Sequence, residues 1–73
     1  MSATAAHALL KQLQASFQVH LGEVRYFDYE AEDYLWMLSA NDNHGLQWTA
    51  KHQDYYKAAC LLAELLGFEL DDG

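Results

Sequence analysis

The sequence predicts a single small α+β domain of order α-β-β-β-α: a three-stranded antiparallel meander with both helices packed on one face. Three observations carry that expectation. Seventy-three residues suffice for one domain only. Apolar residues recur with helical spacing at both ends of the chain and alternate with a period of two through its middle. The densest group of turn formers, "NDNHG" at 41–45, divides that middle into a hairpin and a further short strand.

The first segment, "SATAAHALLKQLQASFQVHL", places Leu9, Leu13 and Phe17 at i, i+4 and i+8, with Ala6 and Leu10 beside them. One stripe of a helix near 4–20 is thus apolar, flanked by Lys11, Gln12 and Gln14. Ser2 or Thr4 can cap its start, and Gly22 is the expected stop, with Gln18 to Leu21 already able to leave the helix.

From Glu23 the period changes. "EVRYFDYE" is rich in β-branched and aromatic residues, which predicts a strand near 23–29. Val24 and Tyr26 face one way, Arg25, Phe27 and Tyr29 the other. "EAED" turns the chain. "YLWMLSA" follows as a second strand over 34–40, with Tyr34, Trp36 and Leu38 on one face and Leu35 and Met37 on the other. Bulk on both faces predicts cover by helix on one side and by a partner on the other. In "NDNHG", Asn and Asp tolerate left-handed backbone angles and Gly allows positive φ without strain. "LQWTA" then predicts a short third strand with Leu46 and Trp48 on one face.

The last segment, "AKHQDYYKAACLLAELLG", predicts a helix over 51–66. Tyr55, Ala59, Leu62 and Leu66 form its stripe, widened by Ala58 and Leu65. Thr49 is the expected cap and Gly67 the terminating glycine. Phe68 is expected to fold back on the last turn. The whole chain, 1–73, reads as one domain whose acidic end, 69–73, is expected to be mobile.

A chain this short buries only about 60% of the surface its unfolded form exposes, so the core is thin. At 52% hydrophobic and 21% charged residues, the composition is that of a globular protein and not a disordered one. Cys60 stands alone, so no internal disulfide can help. Aromatic residues, 14% of the chain, or a partner subunit must supply the stability, and a homodimer is one expected arrangement. The single cysteine also favours a reducing compartment. The first twenty residues lack a basic leader followed by a continuous apolar run, so no secretory signal is expected. No run of ~18 apolar residues predicts a membrane span. A cytoplasmic location is the default expectation.

Charge is the most informative property. Eleven Asp and Glu against four Lys and Arg give −7. Nucleic-acid binding needs basic residues to displace counterions from phosphates, so direct nucleic-acid binding is not expected, and anionic membranes are disfavoured for the same reason. A negative domain steers instead toward basic proteins. The plainer reading is that acidic charge keeps the protein soluble.

No motif points to an enzyme. Asp28, Glu30, Glu32 and Asp33 lack the glycine bend and distal bidentate Glu of a calcium loop, so a solvated turn is the simpler reading. His7, His20, His44 and His52 include no i, i+4 pair on a helix, and no Cys-x-x-Cys is present; metal binding would require His44, His52 and Asp42 to meet in space. Cys60, among Ala58, Ala59, Leu61 and Leu62, reads as a buried small hydrophobe. The glycines at 22, 45, 67 and 73 form no phosphate cradle. No metal and no cofactor are expected.

The aromatic set Tyr26, Phe27, Tyr29, Tyr34, Trp36 and Trp48 is core by default. A sheet with both helices on one face nevertheless leaves its other face open, so some rings should lie outside, where Tyr and Trp anchor interfaces. The candidate partner-binding residues are therefore Asp28, Tyr29, Glu30, Glu32, Asp33, Tyr34 and Trp36, within the stretch "DYEAEDYLWML".

Over residues 3–67 the α-β-β-β-α order resembles the double-stranded-RNA-binding domain, and "TAKHQDYYKAACLLAELL" is similar to that family's alanine-rich last helix. That family grips phosphates with lysines at the helix start. Here the place holds Lys51, His52, Gln53, Asp54 and Lys57, so the resemblance implies the fold and not RNA binding. In size, acidity and element plan the chain also resembles small phage-encoded inhibitors, including anti-CRISPR proteins, whose acidic surfaces occupy sites reserved for nucleic acid. That resemblance implies a non-enzymatic inhibitor meeting a basic surface of a nuclease or other nucleic-acid-binding complex. The alternative is a cellular adaptor or small subunit with an RNA-binding-like fold that binds protein.

Overall fold

The computed structural model describes residues 3–69. Its elements are α1 (Ala3–Phe17), β1 (His20–Asp28), β2 (Asp33–Asn41), β3 (Gln47–His52) and α2 (Tyr55–Leu66). The three strands form one antiparallel sheet in the order β1-β2-β3, the expected meander.

Alternation along the strands decides what each face of the sheet does. Residues opposed in an antiparallel register share a face. Leu21↔Ala40, Glu23↔Leu38, Arg25↔Trp36 and Phe27↔Tyr34 define one face across β1 and β2, and Leu38↔Ala50 and Ala40↔Trp48 extend it to β3. This face carries Leu38, Ala40 and Ala50 into a core completed by Leu9, Leu10 and Leu13 of α1 and by Ala58, Ala59, Leu62 and Ala63 of α2. Both helices therefore lie on it. The opposite face, with Val24↔Met37 and Tyr26↔Leu35, is open.

The core is thin in a particular way. Its largest fully buried side chains are three leucines, Leu13, Leu38 and Leu62. Much of the rest is alanine, at 6, 40, 50, 58, 59 and 63. Small side chains bring little apolar surface each, so the three leucines carry a large share of the burial. Trp36, Trp48, Tyr55, Phe17 and Phe68 close its margins.

The ends of the elements differ from the sequence reading in instructive ways. α1 stops at Phe17 because Gln18 takes a left-handed φ of 54°, its N–H still bonding Gln14 O at 2.9 Å. Gly22 is thus no helix stop; it lies in β1 opposite Ser39. Val19, outside the expected stripe, is buried. Thr4 falls inside α1 instead of capping it. Ser2 and the tail beyond Glu69 lie outside the described residues.

Lys51 and His52, expected to open the second helix, end β3. The cap is Asp54 and not Thr49: its carboxylate accepts the Tyr56 N–H at 2.9 Å, and its own N–H donates to His52 Nδ1 at 2.9 Å. On α2 the buried stripe includes Ala63, while Leu65 is 51% exposed. Cys60 is half-buried. At the far end Gly67, with φ 87°, donates to Glu64 O and Phe68 to Ala63 O, the paired bonds of a left-handed helix cap. The Phe68 ring packs edge-on against Phe17 at 6.3 Å.

The 41–45 turn forms as expected. The Asp42 carboxylate accepts the N–H groups of His44 and Leu46 at 2.9 and 2.8 Å, and Gly45 takes φ 87°. Leu46 remains in this loop and is exposed, instead of sharing a strand face with Trp48.

Candidate functional site: the acidic tip of the first hairpin

β3 pairs only with Trp36–Asn41, so the β1–β2 hairpin continues beyond it as a two-stranded ribbon closed by residues 29–32. The helices leave the end of the hairpin uncovered: α2 packs on β2 and β3 and not on β1, and Phe27, Tyr29 and Tyr34 are exposed. All seven candidate residues lie on or beside it.

Local chemistry shapes the turn. Asp28 ends β1, and its Oδ1 accepts the N–H groups of Glu30 at 2.8 Å and Ala31 at 3.1 Å. Its other oxygen accepts the Tyr26 hydroxyl at 3.4 Å. These bonds hold the Asp28 carboxyl below its usual range: the Ala31 N–H contributes most, partial burial opposes, and Glu30, Tyr26 and the charge of Lys51 add to the lowering. Glu32 takes a left-handed φ of 54°, which closes the turn. Asp33 opens β2, accepting the Tyr34 N–H at 2.7 Å on one oxygen and Gln53 Nε2 at 3.0 Å on the other. Asp28 and Asp33 are thus occupied in building the turn. Glu30 and Glu32 are exposed upon it.

The rings of Phe27, Tyr29 and Tyr34 lie beside these acids, and of the aromatic set Tyr26 lies on the open face. Phe27 and Tyr34 oppose each other on the helix-bearing side and are exposed there. Phe27 meets Tyr29 edge-on at 5.1 Å and Tyr34 at 5.3 Å. Tyr29 is 86% exposed and Tyr34 53%. The open face instead carries Val24, Leu35 and Met37, with Tyr26.

Behind this cluster a stacked series runs into the core. The Arg25 guanidinium lies over Tyr34 at 5.2 Å and Trp36 at 5.7 Å. Trp36 packs edge-on against Tyr55 at 4.9 Å, and Tyr55 against His7 at 5.7 Å. The Tyr55 hydroxyl donates to Glu23 Oε1 at 2.7 Å. Burial, then this bond and the Glu23 charge, push the Tyr55 hydroxyl up to about 12. Trp36 is therefore half-buried and joins the tip to the core instead of standing free beside it.

Phe27 and Arg25 were absent from the candidate set. The signal was present, because a hairpin closed over 29–32 must oppose 27 to 34 and 25 to 36. Among the described residues, those of the tip included, no group of three or more His, Cys, Asp or Glu converges as a metal would require. Asp42 is engaged by its own loop and His52 by the cap of α2. Among the described residues no helix is long and apolar enough to cross a membrane.

Compared with protein-family models, with curated proteins and with solved structures, the chain matches none.

Proposed function

We propose that this protein is a non-enzymatic, acidic protein-binding module of the cytoplasm that inhibits its target by occupying a basic surface otherwise used for nucleic acid. The observation that supports this most is the hairpin tip: Glu30 and Glu32 stand exposed on a turn that Asp28 and Asp33 rigidify, directly beside the exposed rings of Tyr29, Tyr34 and Phe27. Carboxylates next to aromatic faces suit Lys and Arg side chains, which the acids attract and the rings stack upon. A net charge of −7 steers the whole molecule toward the same kind of surface. The start of α2, where an RNA-binding relative would hold phosphates, carries the protein's own Asp54 carboxylate, which speaks against direct nucleic-acid binding. The profile is that of small phage-encoded inhibitors of the anti-CRISPR kind.

The second reading, a cellular adaptor with an RNA-binding-like fold, draws on the α-β-β-β-α order with both helices on one face. Both readings are tested by presenting the immobilised protein to purified nuclease and other nucleic-acid-handling complexes and titrating any captured complex with its nucleic acid. Inhibition by occupancy predicts mutual exclusion. A captured complex that binds nucleic acid and this protein together favours the adaptor and refutes the mimic.

A further inference from the structure

Of the two edge strands of the sheet, β1 is the longer. It runs nine residues without proline, and its nine-pair register with β2 is unbroken by a bulge. Natural proteins usually blunt such edges, because a long regular strand with unpaired main-chain groups is a template for another strand. β3, at the other edge, is shorter and carries Lys51.

We infer that β1 is a self-complementary edge on which a second copy of this chain pairs antiparallel about Val24, joining two sheets into one of six strands. The register follows from the residues. In a two-fold antiparallel pair each residue must oppose one from its own face, so only registers two residues apart compete. Centring on Val24 uses all nine residues, His20 through Asp28, and sets Glu23 against Arg25 of the second copy twice over. It also sets His20 against Asp28, Leu21 against Phe27, and the bare Gly22 against the ring of Tyr26. Centring on Glu23 or on Arg25 shortens the pairing and opposes two like charges at its middle. Length and charge therefore select the same register.

A second feature of the surface fits that register. Leu21 lines a groove between α1 and β1, together with Leu10, Glu23 and Tyr55. Phe27 is 40% exposed, and pairing about Val24 brings it opposite Leu21 of the second copy, at the mouth of that groove. Val24, half exposed, meets its own equivalent on the two-fold axis. The antiparallel arrangement points the two acidic tips to opposite ends. The inference thus stands apart from the proposed function: a monomer can still have a binding tip, and a dimer can have an idle one.

The experiment is sedimentation of the full chain from about 1 µM to 0.5 mM at 0.15 M salt, where a Debye length of about 8 Å screens the net charge but not opposed neighbours. Wild type is expected to form a dimer. Glu23→Arg and Arg25→Glu, each alone, oppose like charges twice and should weaken dimerisation about tenfold or more. Mixing the two variants restores both Glu–Arg pairs, so the mixture should form a heterodimer that neither variant forms with itself. The double variant Glu23→Arg/Arg25→Glu should again self-associate. Circular dichroism of each variant verifies its fold, and heterodimer formation itself demonstrates folded partners. A wild type that stays monomeric throughout overturns the inference, as does a dimer indifferent to the single reversals or a mixture that stays monomeric.

Discussion

Truncating one leucine tests the packing most sharply. Leu62 is fully buried on α2, one of three large side chains that the core encloses completely. Its neighbours in the core include Ala58, Ala59 and Ala63, which have no longer side chain to swing into the space left by Leu62→Ala. The cavity should therefore persist, placing the loss within the ~2–5 kcal/mol range of such substitutions and toward its upper half. At roughly 0.05–0.15 kcal/mol per residue, the whole fold is stable by about 4–11 kcal/mol. A loss of about 4 kcal/mol would lower Tm by about 16–32 °C and leave a substantial unfolded population at the lower end of that stability. Leu65→Ala is the matched control. It removes the same atoms from the same helix, but Leu65 is 51% exposed and should change stability by no more than about 0.5 kcal/mol. Urea denaturation followed by tryptophan fluorescence gives both values. Equal losses at 62 and 65 would mean that α2 is rotated from the orientation described, and the reasoning from burial would fail.

Other consequences follow from single contacts. Asp54→Ala removes the cap of α2 and should cost about 1 kcal/mol by chemical denaturation, whereas Thr49→Ala should leave the helix cap intact. Tyr55 has its folded pKa raised to about 12, so its contribution is complete below the unfolded value near 10 and is lost as pH rises through about 12. Tyr55→Phe should flatten that part of the stability profile, and a tyrosine titrating late at 295 nm should vanish with it. For Asp28 the folded pKa is lowered, so its contribution is present above the ordinary carboxylate range and is lost as pH falls through the folded value. Asp28→Asn should be less stable than wild type at neutral pH, and the two should converge in acid; a constant gap would contradict the turn bonds.

What was legible in the sequence depended on which contacts were local. Helical and alternating periods show directly in side-chain spacing, so the order of elements and the faces of β1 and β2 could be read. The join of β3 to α2 could not, because Lys51 to Gln53 fit a strand end or a first helical turn equally well. Thr49 was the cap read from the sequence; because β3 runs on through His52, the helix starts later and the Asp54 carboxylate caps it by accepting the Tyr56 N–H. Ala63 and Leu65, two residues apart, stand about 200° apart around the helix, so only one of them can face the core. Size alone favoured the leucine, while the structure buries the alanine in the core. The acidic turn was visible as composition. Its aromatic companions Tyr29 and Tyr34 were read beside it, but alternation gives the face of a residue and not how much of that face the helices cover. Phe27 shares a face with the core and is still exposed, since α2 packs on β2 and β3 and not on β1.

The central claim is that the tip's charges guide this protein to a basic surface and its rings hold it there. The most direct measurement is the association rate with a captured partner, across a range of salt, for wild type and Glu30→Lys/Glu32→Lys. Reversal at these exposed positions should slow association and flatten its salt dependence while leaving the fold intact. Tyr29→Ala, measured alongside, should raise the dissociation rate by about 2 kcal/mol's worth, near thirtyfold, if the ring is an anchor. An association rate and salt slope unchanged by the double reversal would contradict the account and reduce the carboxylates of the tip to a solvated turn.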